Sequence, residues 1–115
     1  MARYDDYGLG KLPGTVSMTK VKNALKREHP NLVPHISNIR INGQLQGCSG
    51  FIEDPATGRL VYFNADVNHG TMGVAYVRNA KSLNDYTGGR NRFCDMDAGA
   101  IVESVAELLT SGDLS

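Results

Sequence analysis

The chain of 115 residues has no tryptophan, only two cysteines and a formal net charge of +0. Cys48 and Cys94 form no Cys-x-x-Cys pair, which argues against a disulfide scaffold and a zinc ribbon and fits reduced thiols in the cytoplasm. A neutral chain is a poor candidate for binding driven by phosphate neutralisation. No apolar run approaches the ~20 residues that span a bilayer, and the start lacks the apolar stretch of a signal peptide. We therefore expect a cytoplasmic protein without membrane contact.

Turn-forming residues divide the middle of the chain into short extended segments. The turn signals are Asn42-Gly43, Pro55-Ala56-Thr57-Gly58 and Asn68-His69-Gly70. They separate four β-type segments at about residues 36–42, 48–54, 60–63 and 73–80. The first is predicted to be half-buried, with Ile39 and Ile41 on one face. Because turns this short join antiparallel neighbours, the pattern predicts a four-stranded antiparallel meander.

A helix is predicted on each side of the meander. Ser17 caps the first, which presents Val21, Ala24 and Leu25 on one face and ends before Pro30. Asp95 or Asp97 caps the second, whose apolar stripe runs from Ala98 to Leu109. The sequence thus predicts an α+β fold in which both helices pack on one sheet face.

The domain organisation is predicted from the glycine and proline residues near the start of the chain. Residues 1–16 contain Gly8, Gly10, Pro13 and Gly14 and are predicted to be a flexible arm. Residues 17–115 are predicted to form a single domain.

The sheet face away from the helices is one candidate for a binding surface. Tyr62 and Tyr76 are predicted to lie there with Arg40 and Arg78, and tyrosine and arginine are enriched in binding interfaces. An ordinary exposed sheet face with amphipathic side chains is the alternative.

The segment 81–93 is the first choice for a contact surface, because it belongs to a loop predicted from Lys81 to Met96 that lacks periodicity, and long loops in compact domains are often functional. Arg90 and Arg92 would project to the same side of an extended segment and could grip a carboxylate or phosphate together. Pairing with the acidic last helix is the alternative. The candidate partner-binding residues are Tyr62, Tyr76, Arg78, Tyr86, Arg90, Arg92 and Phe93.

Catalytic and metal sites have little support in the sequence. Gly47-Cys48-Ser49-Gly50, with His69 as base and Asp66 or Asp54 to orient it, would compose a thiol hydrolase site. A buried cysteine among small neighbours is the favoured interpretation. The histidines lack the spacing of a metal site, so we predict no catalytic residue, cofactor or metal.

Two resemblances bear on function. The order helix, strands, helix is similar to that of the double-stranded-RNA-binding domain, but the last helix carries no Lys or Arg, so that function is not carried over. A helix ending in Ala24-Leu25-Lys26-Arg27-Glu28-His29-Pro30, followed by a strand with Gly47-Cys48-Ser49-Gly50, resembles small α+β proteins of phages and mobile elements. These include anti-CRISPR proteins and large-polyvalent-domain modules.

The second resemblance implies a non-enzymatic protein that acts by binding a nucleic-acid-handling complex of the host. We therefore expect a protein-binding inhibitor that occludes a surface of defence machinery. A small nucleic-acid-binding module and a Cys-dependent hydrolase are the alternatives. Direct binding to nucleic acid is expected to be weak or absent.

Overall fold

The computed structural model describes residues 15–66, 74–85 and 89–111. Within these ranges the strands form one antiparallel sheet in which each strand pairs with the next along the chain. The α+β fold and the antiparallel sheet are confirmed. No helix in the described ranges is long and apolar enough to cross a membrane. In chain order the elements are α1 Met18–Glu28, β1 Val33–Ile41, β2 Gln44–Asp54, β3 Arg59–Asp66, β4 Val74–Ala80, β5 Arg92–Asp95 and α2 Ala98–Ser111.

The predicted number of four strands is wrong, because a fifth strand lies in the segment predicted as a loop. β5 pairs with β4 from Val74 opposite Asp95 to Val77 opposite Arg92. A strand of four residues is too short to show a period of two, and what stabilises it is its pairing with β4 rather than its own sequence.

The predicted turns have the expected backbone. Asn42 and Gly43 both have positive φ, 52° and 81°, which is typical of a two-residue type I′ hairpin between β1 and β2. In the second turn, Gly58 has a φ of 77° and donates its N–H to the carbonyl of Asp54 at 2.8 Å. The predicted turn at Asn68-His69-Gly70 lies outside the described residues.

Side chains cap three of the four helix ends by hydrogen bonds. Ser17 Oγ accepts from the N–H of Lys20 at 3.2 Å, and Asp97 Oδ2 accepts from the N–H of Ala100 at 3.0 Å. Of the two predicted caps for α2, Asp97 is the observed one. At the other end of α2, the Arg59 guanidinium donates to the carbonyls of Leu108 and Leu109 at 3.3 and 2.9 Å. Arg59 thus satisfies carbonyls that the helix itself leaves unpaired.

One hydrophobic core joins both helices to one face of the sheet. Phe63, Ile52 and Val77 from the strands are fully buried together with Leu25 of α1 and Ile101 of α2. Val16, assigned to the arm in the sequence analysis, is also buried in this core, and residues 1–14 lie outside the described ranges. We call the sheet face away from the core the open face.

The prediction for the burial of β1 is wrong in its second half. Ile36, not Ile39 or Ile41, packs against the core, and Ile41 is 39% exposed. The side chain of Asn38 accepts a hydrogen bond from the N–H of Met18, at the start of α1, so this side of β1 faces the helices. The register shifts between Ile39 and Arg40, but the extra residue, Gln46, lies on β2, so the alternation of β1 continues and directs Ile39 and Ile41 to the open face. Arg40, predicted on the open face, is directed to the helix side by the same alternation.

Candidate binding surface on the open sheet face

Four aromatic side chains cross the open face in a row, one from each of β2, β3, β4 and β5. Phe51 is the register partner of Tyr62, and Tyr76 is the register partner of Phe93. Tyr62 and Tyr76 are diagonal neighbours, since Tyr76 pairs with Asn64. The ring centroids are 5.2, 6.2 and 6.2 Å apart along the row. We call Phe51, Tyr62, Tyr76 and Phe93 the aromatic row.

The geometry of the aromatic row favours a fixed surface. The successive rings are inclined by 61°, 49° and 64°, and the outer pairs are edge-to-face. Such pairs contribute about 0.5–1.5 kcal/mol each beyond the area that they bury. Three of the rings are half-buried, whereas Phe93 on the edge strand is 61% exposed. The row is therefore an ordered apolar ridge that ends in an accessible ring.

Arg78 lies beside the aromatic row, because it is the register partner of Tyr62. Its Nη2 donates to the carbonyl of Gly89, which links β4 to the segment that precedes β5. Its Nε is buried and has no hydrogen-bond partner in the described part of the chain. Arg78 thus holds the backbone next to the row.

Charges on the open face come as opposites. His35 of β1 and Glu53 of β2 lie at one side of the aromatic row, with Nε2 and Oε1 3.0 Å apart. Asp95 lies at the other side, on the same face as Phe93, so Asp95 and Glu53 offset the charge of Arg78. Among the residues that the structure describes, the open face therefore has no surplus of positive charge.

The predicted partner-binding residues divide between two faces. Tyr62, Tyr76, Arg78 and Phe93 lie together on the open face. Arg92 lies on the opposite face, where its Nη2 donates to Glu107 Oε1 of α2 at 2.5 Å. Successive residues of a strand point to opposite faces, so Arg92 and Phe93 cannot share a surface. Arg90 is exposed in the segment before β5, and Tyr86 lies outside the described residues.

Sequence reasoning missed Phe51 and His35. The second turn could have placed Phe51 beside Tyr62. When Asp54 pairs with Arg59 across this turn, the antiparallel register places residue 51 opposite residue 62. The first strand is predicted to begin at about residue 36, whereas β1 begins at Val33 and includes His35.

The geometry around Cys48 does not suit nucleophilic chemistry. Its side chain is fully buried, and burial raises the pKa of the thiol to about 12. The thiol is therefore protonated at neutral pH, while the reactive form is the thiolate. Asp54, one proposed partner, accepts a hydrogen bond from Ala56 within its own turn, and His69 lies outside the described residues. No cluster of His, Cys, Asp or Glu among the described residues could hold a metal ion.

A groove of about 780 Å³ lies between the end of α1 and the outer side of α2. Its wall includes Val102 and Ala106, and its charged rim includes Arg27, Glu28 and the Arg92–Glu107 pair. Arg27 and Glu28 also contact each other at 3.3 Å. The groove is on the helix side of the protein and is separate from the aromatic row.

No protein-family model matches the sequence, and searches of curated proteins and of solved structures return no match.

Proposed function

We propose that the protein is a non-enzymatic binding module that contacts a protein partner through the aromatic row and Arg78. The observation that carries the proposal is the row itself: four aromatic side chains from adjacent strands on the face that the helices leave open. Aromatic residues and arginine dominate the binding energy of many interfaces. Phe93, at 61% exposure, is the anchor that a pocket on the partner would take up.

Single-stranded nucleic acid is the second candidate ligand, and the aromatic row is the observation that favours it. Aromatic side chains on an antiparallel sheet are a common platform for stacking bases. Such platforms also need a basic groove that follows the phosphates. Here Glu53 and Asp95 lie on the same face, and Arg78 is bonded to Gly89. The charge balance therefore favours a protein partner over a nucleic acid.

The class of partner follows from the resemblance to anti-CRISPR proteins and large-polyvalent-domain modules. On that basis the partner is a component of the host's nucleic-acid-handling defence machinery, and the protein acts in the cytoplasm as an inhibitor. Its mechanism is occlusion: the row covers a surface that the partner needs. This mechanism requires no cofactor and no catalytic residue.

The test compares Phe93→Ala with Leu83→Ala. Both side chains are exposed, at 61% and 42%, so neither substitution should unfold the protein, but Leu83 lies in the turn after β4 and outside the row. Each variant and the original chain are immobilised, and a bacterial lysate treated with nuclease is passed over them. We expect one protein to be retained by the original chain and by Leu83→Ala, with retention by Phe93→Ala reduced at least roughly tenfold. Melting temperatures verify that all three are folded.

A second measurement separates the two ligand classes. The same three proteins are titrated against labelled single-stranded RNA and DNA at about 150 mM salt, near physiological ionic strength. Sub-micromolar binding that Phe93→Ala abolishes would favour the nucleic-acid candidate. Equal retention of a protein by Phe93→Ala and Leu83→Ala would contradict the role of the aromatic row.

A further inference from the structure

β1 is a long outer strand of the sheet. It has nine residues, Val33 to Ile41, and among the described residues no strand pairs with its outer side. An outer strand presents unpaired N–H and C=O groups that can template pairing with another chain. Proteins usually protect such edges with short strands or charged residues. β5, the other outer strand, has only four residues, whereas β1 is more than twice as long and carries one permanent charge, Arg40.

The two ends of β1 carry exposed apolar side chains that neither the core nor the aromatic row uses. Val33 is 38% exposed and Ile41 is 39% exposed. They are separated by an even number of positions, and the extra residue at the register shift beside Arg40 lies on β2, so both side chains lie on the open face. Ile39 also lies on this side of β1 and outside the core.

We propose that β1 pairs antiparallel with β1 of a second copy of this chain, about a two-fold axis at Ser37. In this register Val33 of each copy lies opposite Ile41 of the other, so the exposed apolar side chains cover one another. His35 lies opposite Ile39, and Pro34 lies opposite Arg40, so no like charges face each other along the strand. A two-fold interface requires a self-complementary surface, and β1 is self-complementary when a second copy pairs with it antiparallel. The product is one continuous sheet of ten strands, five from each copy.

Two features set the expected strength of the dimer. One pair of strands is a small interface, and Pro34 lacks an N–H to donate, so we expect a dissociation constant in the micromolar range.

The second feature is the charge of α1. This helix packs against β1, so both copies of α1 lie on the same side of the paired sheet. Each carries Lys20, Lys22, Lys26 and Arg27 against one acid, Glu28. Repulsion between them should weaken the dimer at low ionic strength.

The test is sedimentation velocity over about 5 to 500 µM protein, a range that brackets a micromolar dissociation constant. We expect the original chain to shift from monomer to dimer, at lower concentration in about 500 mM salt than in about 50 mM. The double variant Val33→Lys, Ile41→Lys puts like charges opposite each other at both ends, and should weaken the dimer at least tenfold. The double variant Val33→Glu, Ile41→Lys puts opposite charges there and should restore it.

The second double variant fixes the register, because only an antiparallel pairing centred on Ser37 brings position 33 opposite position 41. Leu83→Lys is the control, since Leu83 is an equally exposed apolar residue away from β1, and it should leave association unchanged. Thermal melts verify folding of each variant. A monomer at every concentration, or equal association of the two double variants, would overturn the proposal. Protection of the β1 edge only in the presence of a different protein would overturn it as well.

Discussion

Because the thiol of Cys48 is buried, we predict that the difference in unfolding free energy between the original chain and Cys48→Ala depends on pH. The side chain is fully buried, and burial raises its pKa from 9.0 to about 12. The folded state therefore holds the thiol neutral where the unfolded chain would release the proton. The resulting stabilisation is complete below pH 9.0 and is lost as the pH rises towards 12. The variant Cys48→Ala has no such dependence at this position.

The magnitude follows from these two pKa values. Between pH 8 and pH 10 the unfolded thiol deprotonates and the folded thiol does not, which costs the original chain about 1.4 kcal/mol. At pH 8, Cys48→Ala should be less stable than the original chain by about 1–2 kcal/mol, because it leaves a small cavity in the core. At pH 10 the difference between the two proteins should shrink by about 1.4 kcal/mol.

The assay is chemical denaturation of both proteins at pH 8 and pH 10. Ionisation elsewhere in the chain is common to both proteins and cancels in the difference. A difference in unfolding free energy that is the same at the two pH values would refute the reasoning, since it would mean that the folded protein does not hold Cys48 neutral. Binding by the folded Cys48→Ala variant should be unchanged, and a complete loss of activity would revive the hydrolase alternative.

Three further predictions concern the fold. A Cβ at Gly47 would lie 1.8 Å from a carbonyl oxygen of β3, so Gly47→Ala should lower the unfolding free energy by more than about 3 kcal/mol. Gly58→Ala should lower it by only about 1 kcal/mol, because the added atom at Gly58 meets open space. Denaturation curves of the two variants measure this, and similar costs would contradict it. Arg59→Met should cost about 1–2 kcal/mol through loss of its bonds to the end of α2, and hydrogen exchange should rise first in the last turn of that helix. Arg92 and Glu107 are 49% and 52% exposed, so their ion pair should be weak. A double-mutant cycle should give a coupling energy below about 1 kcal/mol that disappears at high salt, and a larger coupling energy would contradict this prediction.

The parts of the fold that local chemistry determines could be predicted from the sequence. Asn42-Gly43 requires positive φ at two successive positions, and few structures other than a tight hairpin provide it. Ser17 and Asp97 cap helices through bonds that span three residues. The apolar stripe of α2, from Ile101 to Leu109, has the period of a helix packed on one side, and these residues are buried.

Features that depend on contacts distant in sequence could not be predicted in this way. β5 is stabilised by its pairing with β4, and its four residues are too few to show the alternation of a strand. The same strand places Arg92 and Phe93 on opposite faces, although both are predicted from their residue types to be partner-binding residues. Ile39 and Ile41 have the pattern of a buried strand, but α1 begins beside Asn38 and the alternation of β1 turns both away from the core.

The aromatic row and the β1 edge are connected by the geometry of the sheet. In the proposed dimer, the open faces of both copies lie on the same side of one continuous sheet, because paired strands share their faces. The two Phe51 positions are then separated by three strand spacings across the sheet, about 14 Å, and by four residues along the strands, about 13 Å, which gives roughly 20 Å in all. Two aromatic rows at this distance form a single two-fold surface, and a partner that contacts both would bind more tightly than either row alone allows. The Val33→Lys, Ile41→Lys variant should therefore keep the contact through Phe93 but bind such a partner more weakly, mainly by faster dissociation, whereas Phe93→Ala should lose the contact in monomer and dimer alike.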